Sequence, residues 1–94
     1  MALRFLYTPS AVRDLKSLKR EHDTRSLNAI AAIEREIERT WPEAEGRFSP
    51  EALGGDLAGC LSRRINQRDR FVYRTNVAAG TVEVLQCRGH YGDH

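Results

Sequence analysis

Residues 60–75 read Cys60-Leu61-Ser62-Arg63-Arg64-Ile65, then Asn66-Gln67-Arg68-Asp69, then Arg70-Phe71-Val72-Tyr73-Arg74-Thr75. Two short runs with apolar residues at alternate positions flank a polar four-residue link, the pattern of an antiparallel hairpin. A further link, Asn76-Val77-Ala78-Ala79-Gly80, introduces a third run from Thr81 to Gly89 or slightly beyond. Side chains alternate strictly along a strand. A register that places Leu61, Ile65, Phe71 and Tyr73 together against other elements therefore places Ser62 and Arg64 with Arg70, Val72 and Arg74 on the opposite, uncovered face. Like charges on neighbouring strands are unfavourable by themselves. Their repulsion can be offset by solvent and salt bridges to Asp56, Asp69 or Glu83, or by a bound polyanion.

Upstream, Leu3-Arg4-Phe5-Leu6-Tyr7 predicts a first strand that stops at Thr8-Pro9, with Thr8 as helix N-cap and Pro9 at the first helical position. Val12, Leu15 and Leu18 then recur at three-residue steps, between basic residues, as far as Arg20 to His22. Asp23 caps a second helix carrying Leu27, Ile30, Ile33, Ile37 and Trp41 on one face. Its other face, Glu34, Arg35, Glu36, Glu38 and Arg39, reads as solvated, and Pro42 ends it. From Pro42 to Gly59 glycine, proline and acidic residues break any period. Connections longer than about 12–15 residues are usually functional or disordered, and this one is placed to supply a lid or a catalytic carboxylate. The expected architecture is α+β: a helical hairpin packed on a mainly antiparallel four-stranded sheet, in the order β-α-α-β-β-β, as one domain over residues 1–94.

Ninety-four residues enclose a single modest core. No apolar run approaches the roughly 18 residues of a membrane span, and the N-terminal apolar stretch is too short for a signal peptide. A cytoplasmic protein with no membrane partner is expected. Cys60 and Cys87 lack CxxC spacing and read as reduced, packed thiols. His22, His90 and His94 have no zinc-type spacing, so neither a metal nor a cofactor is expected. The net charge of +2 resolves into +4 over residues 1–20, −5 over 21–60 and +3 over 61–94. Only Lys16 and Lys19 are lysines among the 15 basic residues. Arginine grips phosphate bidentately, which points to phosphate recognition in the C-terminal third, although a GC-rich codon bias produces the same composition. His90 shares the parity of Val82, Val84, Gln86 and Arg88, which sets it beside the Arg88 row. Tyr91 shares that of Leu85 and Cys87.

Pro50-Glu51, Gly59, Ser62-Arg63-Arg64-Ile65, Arg70-Phe71-Val72-Tyr73 and Cys87-Arg88-Gly89-His90-Tyr91 together resemble the YoeB (Txe) branch of the RelE-like toxins, small ribonucleases of bacterial type II toxin–antitoxin pairs. The specific match spans roughly residues 50–91, while the helical half agrees in layout only. The chain departs from the pattern at Gly89, where an aromatic residue is usual, at Cys60 and Leu61, and at Arg47-Phe48-Ser49, which replaces a Gly-Lys-rich run.

The resemblance implies the RelE-like fold and ribosome-dependent, metal-independent cleavage of mRNA. It also implies inhibition by a cognate antitoxin protein, through which operator DNA is contacted indirectly. Residue by residue, Glu51 falls on the general base, Arg64 and Arg70 on the phosphate-binding arginines, His90 on the general acid and Tyr91 on the tyrosine that holds the nucleotide. Arg47, Arg63, Arg74 and Arg88 are the expected additional RNA contacts. The expected partners are the antitoxin, the ribosome with its mRNA and, given the small core, a second copy in a homodimer. Two alternatives stay open. One is a catalytically weak relative that binds RNA or the ribosome, or serves as the antitoxin's partner in operon repression. The other is a plain α+β domain whose arginines decorate its surface.

Overall fold

The computed structural model describes residues 3–89. Strand β1 (Arg4–Tyr7) leads into α1 (Pro9–Arg20) and α2 (Thr24–Thr40). After a long connection come β2 (Glu51–Ala52), a single 3-10 turn (Gly55–Leu57), β3 (Leu61–Arg64), β4 (Arg70–Asn76) and β5 (Thr81–Gln86). Both helix starts follow from local chemistry. The Thr8 hydroxyl accepts the Ala11 N–H at 3.2 Å and Pro9 opens the helix. The Asp23 carboxylate accepts the Ser26 N–H at 3.1 Å and the Ser26 hydroxyl at 2.8 Å. Each cap satisfies an amide with no partner inside its helix.

The strands form one sheet in the order β1-β5-β4-β3-β2. β1 runs parallel to β5, and every other pairing is antiparallel. The sheet thus has five strands where four were expected. The added strand is residues 51–52, which fold back to set Glu51 opposite Ser62 and Ala52 opposite Leu61. Two residues are too few to carry a period, so nothing in the sequence announces them.

Ala11 and Leu18 of α1 and Ile30, Ile33 and Ile37 of α2 bury themselves against Ile65, Phe71, Tyr73, Val82 and Val84. Burying such a side chain fully contributes about 1.5–3 kcal/mol, so this layer holds the helical hairpin on the sheet. The opposite face is not bare, contrary to expectation. Leu53 and Cys60 pack there on Val72, with Leu57 and Leu85 alongside, in a second small apolar cluster. The glycine-rich connection brings Leu53 and Leu57 across the β3–β4 surface and covers its centre.

Two further expectations are corrected. Glu36, read as part of the solvated face of α2, is only 6% exposed. Strand β5 stops at Gln86, and the β4–β5 ladder shifts register between Val72 and Tyr73, pairing Val72 with Gln86 but Tyr73 with Val84. Cys87 therefore joins Val82 and Val84 in the core despite its opposite parity. Counting alternation onward from β5 cannot assign a face to residues beyond it. His90 and Tyr91 lie outside the described residues.

Candidate active site

Strand pairing supplies the foundation. Arg64 of β3 stands directly opposite Arg70 of β4, and Ser62 opposite Val72, as the alternation requires. The two arginines differ in setting. Arg64 is exposed, and its guanidinium has no hydrogen-bond or ion-pair partner among the described residues. Arg70 is buried, at 3% exposure. Its Nε donates to the Ser62 hydroxyl at 2.9 Å and its Nη2 to the Ser49 carbonyl at 2.8 Å. That same Nη2 lies 3.6 Å from Glu51 Oε2. A half-exposed carboxylate thus faces a guanidinium that is held at two points before any ligand arrives.

The loop that delivers Ser49 and Glu51 is shaped by residues assigned other roles from the sequence. Arg63, expected to contact RNA, is fully buried. Its Nη1 donates to the Glu45 carbonyl at 2.8 Å and the Arg47 carbonyl at 2.9 Å, and its Nε to the Tyr73 hydroxyl at 3.1 Å. Those bonds satisfy a buried charge that would otherwise be prohibitively costly. Arg63 is therefore a strut inside the protein and not, as expected, a surface for RNA. Its parity with Leu61 and Ile65 was the available signal.

Glu36 grips the loop from α2, accepting the Arg47 N–H at 2.7 Å while bonding Arg39 Nε and Nη2 at 2.9 and 2.8 Å. The Arg39 hydrogen bonds, aided by the Arg47 amide, hold its carboxyl at about 2. Gly46 passes so close to this carboxylate that an added Cβ would collide with Glu36 Oε2, and its φ is +92°. Glycine is required there on both counts. Phe48 and Ser49 adopt φ of +71° and +49°, a left-handed conformation costing non-glycine residues of order 1–3 kcal/mol each. That conformation turns the Phe48 carbonyl to the Arg64 N–H at 2.6 Å and the Ser49 carbonyl to Arg70.

The remaining arginines divide. Arg47 is exposed at the loop, its guanidinium 4.8 Å from the centre of the Phe48 ring. Arg74 pairs with Glu83 at 2.7 Å, the salt bridge that was the plainer expectation for it. Arg88 bonds Ser17 of α1 and Glu21 at its C-terminal cap. The chain then reaches Gly89, whose carbonyl accepts the Arg70 N–H at 3.1 Å. The two cysteines are free and buried, and burial pushes the Cys87 thiol well above its ordinary range. Among the described residues no group of three or more His, Cys, Asp or Glu side chains is placed to hold a metal ion. No helix among them is long and apolar enough to cross a membrane.

Comparison with known proteins identifies the family. Residues 7–91 match the model of the YoeB-like toxin of bacterial type II toxin–antitoxin systems. The toxin YoeB of Escherichia coli O6:H1 is 37% identical over 71 residues, covering 76% of this chain and 80% of that protein. The structure of a YoeB/ParE toxin from Agrobacterium tumefaciens superposes with a TM-score of 0.85 at 38% identity, over 95% of this chain and 100% of that one. A Staphylococcus aureus YoeB, solved as a dimer, superposes with a TM-score of 0.83 at 30% identity, over 97% of this chain and 100% of that one. The Staphylococcus aureus protein has also been solved in a heterotetrameric YoeB-YefM toxin–antitoxin complex. A family match over most of the chain, with a relative 37% identical and a shared fold, places this chain in the YoeB-like toxin family of bacterial type II toxin–antitoxin systems.

Proposed function

We propose that the chain is a ribosome-dependent mRNA endoribonuclease that arrests translation in the cytoplasm. The observation that carries this reading is the Glu51 carboxylate set 3.6 Å from the buried Arg70 guanidinium, with exposed Arg64 opposite Arg70 on the next strand. A pure RNA-docking face needs the arginines. It has no use for a carboxylate held among them.

The chemistry follows from the groups present. Glu51 takes the proton of the substrate 2′-hydroxyl, and the freed oxygen bonds to the adjacent phosphorus. The bond from phosphorus to the 5′-oxygen breaks, and His90 gives that oxygen a proton. The products are a 2′,3′-cyclic phosphate and a 5′-hydroxyl. Dependence on the 2′-hydroxyl spares DNA. Each acid or base contributes on the order of 10²–10⁴-fold. Arg64 and Arg70 neutralise the charge that grows on the scissile phosphate, and Arg70, already bonded to Ser49 and Ser62, needs little reorganisation. Tyr91 holds the nucleotide, and Arg47 at the rim contacts flanking RNA. His90 directly follows Gly89 in sequence, and the Gly89 carbonyl accepts the Arg70 N–H. A cognate antitoxin restrains the toxin, as YefM assembles with the Staphylococcus aureus relative.

Primer extension on a translated reporter mRNA after induction tests the reading. Wild type is expected to give discrete new 5′ ends inside the translated region, and Glu51→Ala and His90→Ala to give none. Growth arrest without new ends would replace cleavage by docking without chemistry, and ends unchanged in both variants would remove Glu51 and His90 from the chemistry.

A further inference from the structure

We infer that Asp14 and Asp69 form a backbone clamp that orients the chain entering His90, and so act as positioning residues for the protonation of the leaving group. The inference rests on the assignment of His90 as general acid. Once β5 ends at Gln86, the sheet no longer takes the amides of residues 87–89, yet all three are bonded to carboxylates. Asp14 Oδ2 accepts the Cys87 N–H at 2.9 Å and the Arg88 N–H at 3.2 Å. Asp69 Oδ1 accepts the Gly89 N–H at 2.8 Å. The carbonyls are held as well: Gln86 Nε2 donates to Arg88 O at 2.7 Å and Gly89 O at 3.1 Å.

The packing of α1 does not itself call for a carboxylate at Asp14. Asp14 is the sole acidic residue of α1 and lies three residues after Ala11 and four before Leu18, both fully buried. That places it on the helix stripe facing the sheet, where an aliphatic side chain would be the ordinary choice. Asp69 is fully buried in the β3–β4 link, braced by Asn66 Nδ2 at 2.9 Å and by Arg68. Hydrogen bonds to carboxylates are roughly twice as strong as neutral ones. Two carboxylates from elements 55 residues apart in sequence thereby converge on three successive amides immediately before the proposed acid. Gly89, whose carbonyl accepts the Arg70 N–H, adopts φ of +81°, so Asp69 holds the amide of the residue at which the chain turns past Arg70.

The test compares Asp14→Ala, Asp14→Asn, Asp69→Asn and His90→Ala on ribosome-bound mRNA. Two substrates are used, one ordinary and one with sulfur in place of the scissile 5′-bridging oxygen. A thiolate is a far better leaving group than an alkoxide, so it departs without a proton. On ordinary RNA, Asp14→Ala is expected to slow cleavage by up to about a hundredfold, the scale of a group misplaced by about 1 Å, and His90→Ala by about 10²–10⁴-fold. Both are expected to return to within about threefold of wild type on the sulfur substrate. Asp14→Asn, which keeps an acceptor oxygen, should retain most activity on both. Amide exchange at Cys87 and Arg88 should accelerate in Asp14→Ala, whose helix site tolerates alanine, and at Gly89 in Asp69→Asn. Asp14→Ala equally slow on both substrates, or as fast as wild type on ordinary RNA, overturns the clamp while leaving His90→Ala to speak for itself. If His90→Ala cleaves normally, or is not restored by sulfur, the acid assignment fails and the clamp's purpose fails with it.

Discussion

Arg63 and Arg64 are neighbours in one strand of the same protein, yet they belong to different regions of it. Arg63 points to the helix side, is fully buried and is bonded to two carbonyls and a phenol. Arg64 points to the other side and is exposed beside Arg70 and Glu51. Peptide chemistry alone makes the two residues opposite in direction. What makes them opposite in role is the Pro42–Pro50 loop, which closes over the first and stops beside the second. Arg70 stands between these extremes, since it is buried like Arg63 but reaches Glu51.

Removing Arg63 should have the largest effect. Arg63→Ala leaves the Glu45 and Arg47 carbonyls and the Tyr73 hydroxyl without their donor and opens a void. The expected loss is about 3–5 kcal/mol in urea denaturation, a large fraction of a small domain's total stability. A loss below about 1 kcal/mol would erase the distinction between the two arginines. Arg64→Ala should do the reverse, lowering cleavage of ribosome-bound mRNA by about 10²–10³ while moving stability by no more than about 0.5 kcal/mol. Arg70→Ala should show both effects, losing about 1–3 kcal/mol because the Ser49 carbonyl is left unsatisfied. Retention of full stability in that variant would contradict its burial.

Two milder variants probe the loop. Gly46→Ala must shift the Glu36 carboxylate or the loop that it holds and adopt a left-handed conformation, at a cost of about 1–3 kcal/mol; cleavage should fall with it, because Ser49 and Glu51 follow in the same loop. Unchanged cleavage would show that the loop's grip on Glu36 is unrelated to the site. The smallest effect concerns pH. Glu36 titrates at about 2 in the fold against 4.5 ordinarily, so the unfolded chain binds its proton first as pH falls. Its stabilisation is full above about 4.5 and disappears as pH drops toward 2. Stability curves across that window should be flatter in Glu36→Gln than in wild type, and parallel curves would show that the Glu36 carboxylate does not stabilise the loop.

Much of this was legible in residues close together along the chain. Thr8, Pro9 and Asp23 announced both helices, because a cap and the amide it satisfies lie within three residues. The hairpin alternation put Arg64 and Arg70 on one face, because strand parity is a property of the backbone alone. The resemblance named Glu51, whose approach to Arg70 no period could reveal. Arg63 and Glu36 were misread for one reason: each is a charged residue whose burial depends on partners found only after folding. The carbonyls that receive Arg63 are 16 and 18 residues away, and the amide that receives Glu36 is 11 away.

By itself the sequence determined the helical hairpin, the antiparallel strand run and the pairing of Arg64 with Arg70. These follow from capping, apolar period and parity, all of which act between near neighbours. Only the tertiary structure decided that the sheet gains a fifth strand at Glu51, that Arg63 and Glu36 serve as struts, and that Asp14 and Asp69 meet at residues 87–89. Those outcomes depend on whether a buried charge finds its hydrogen-bond partners, and the partners come from segments that only the folded chain brings together.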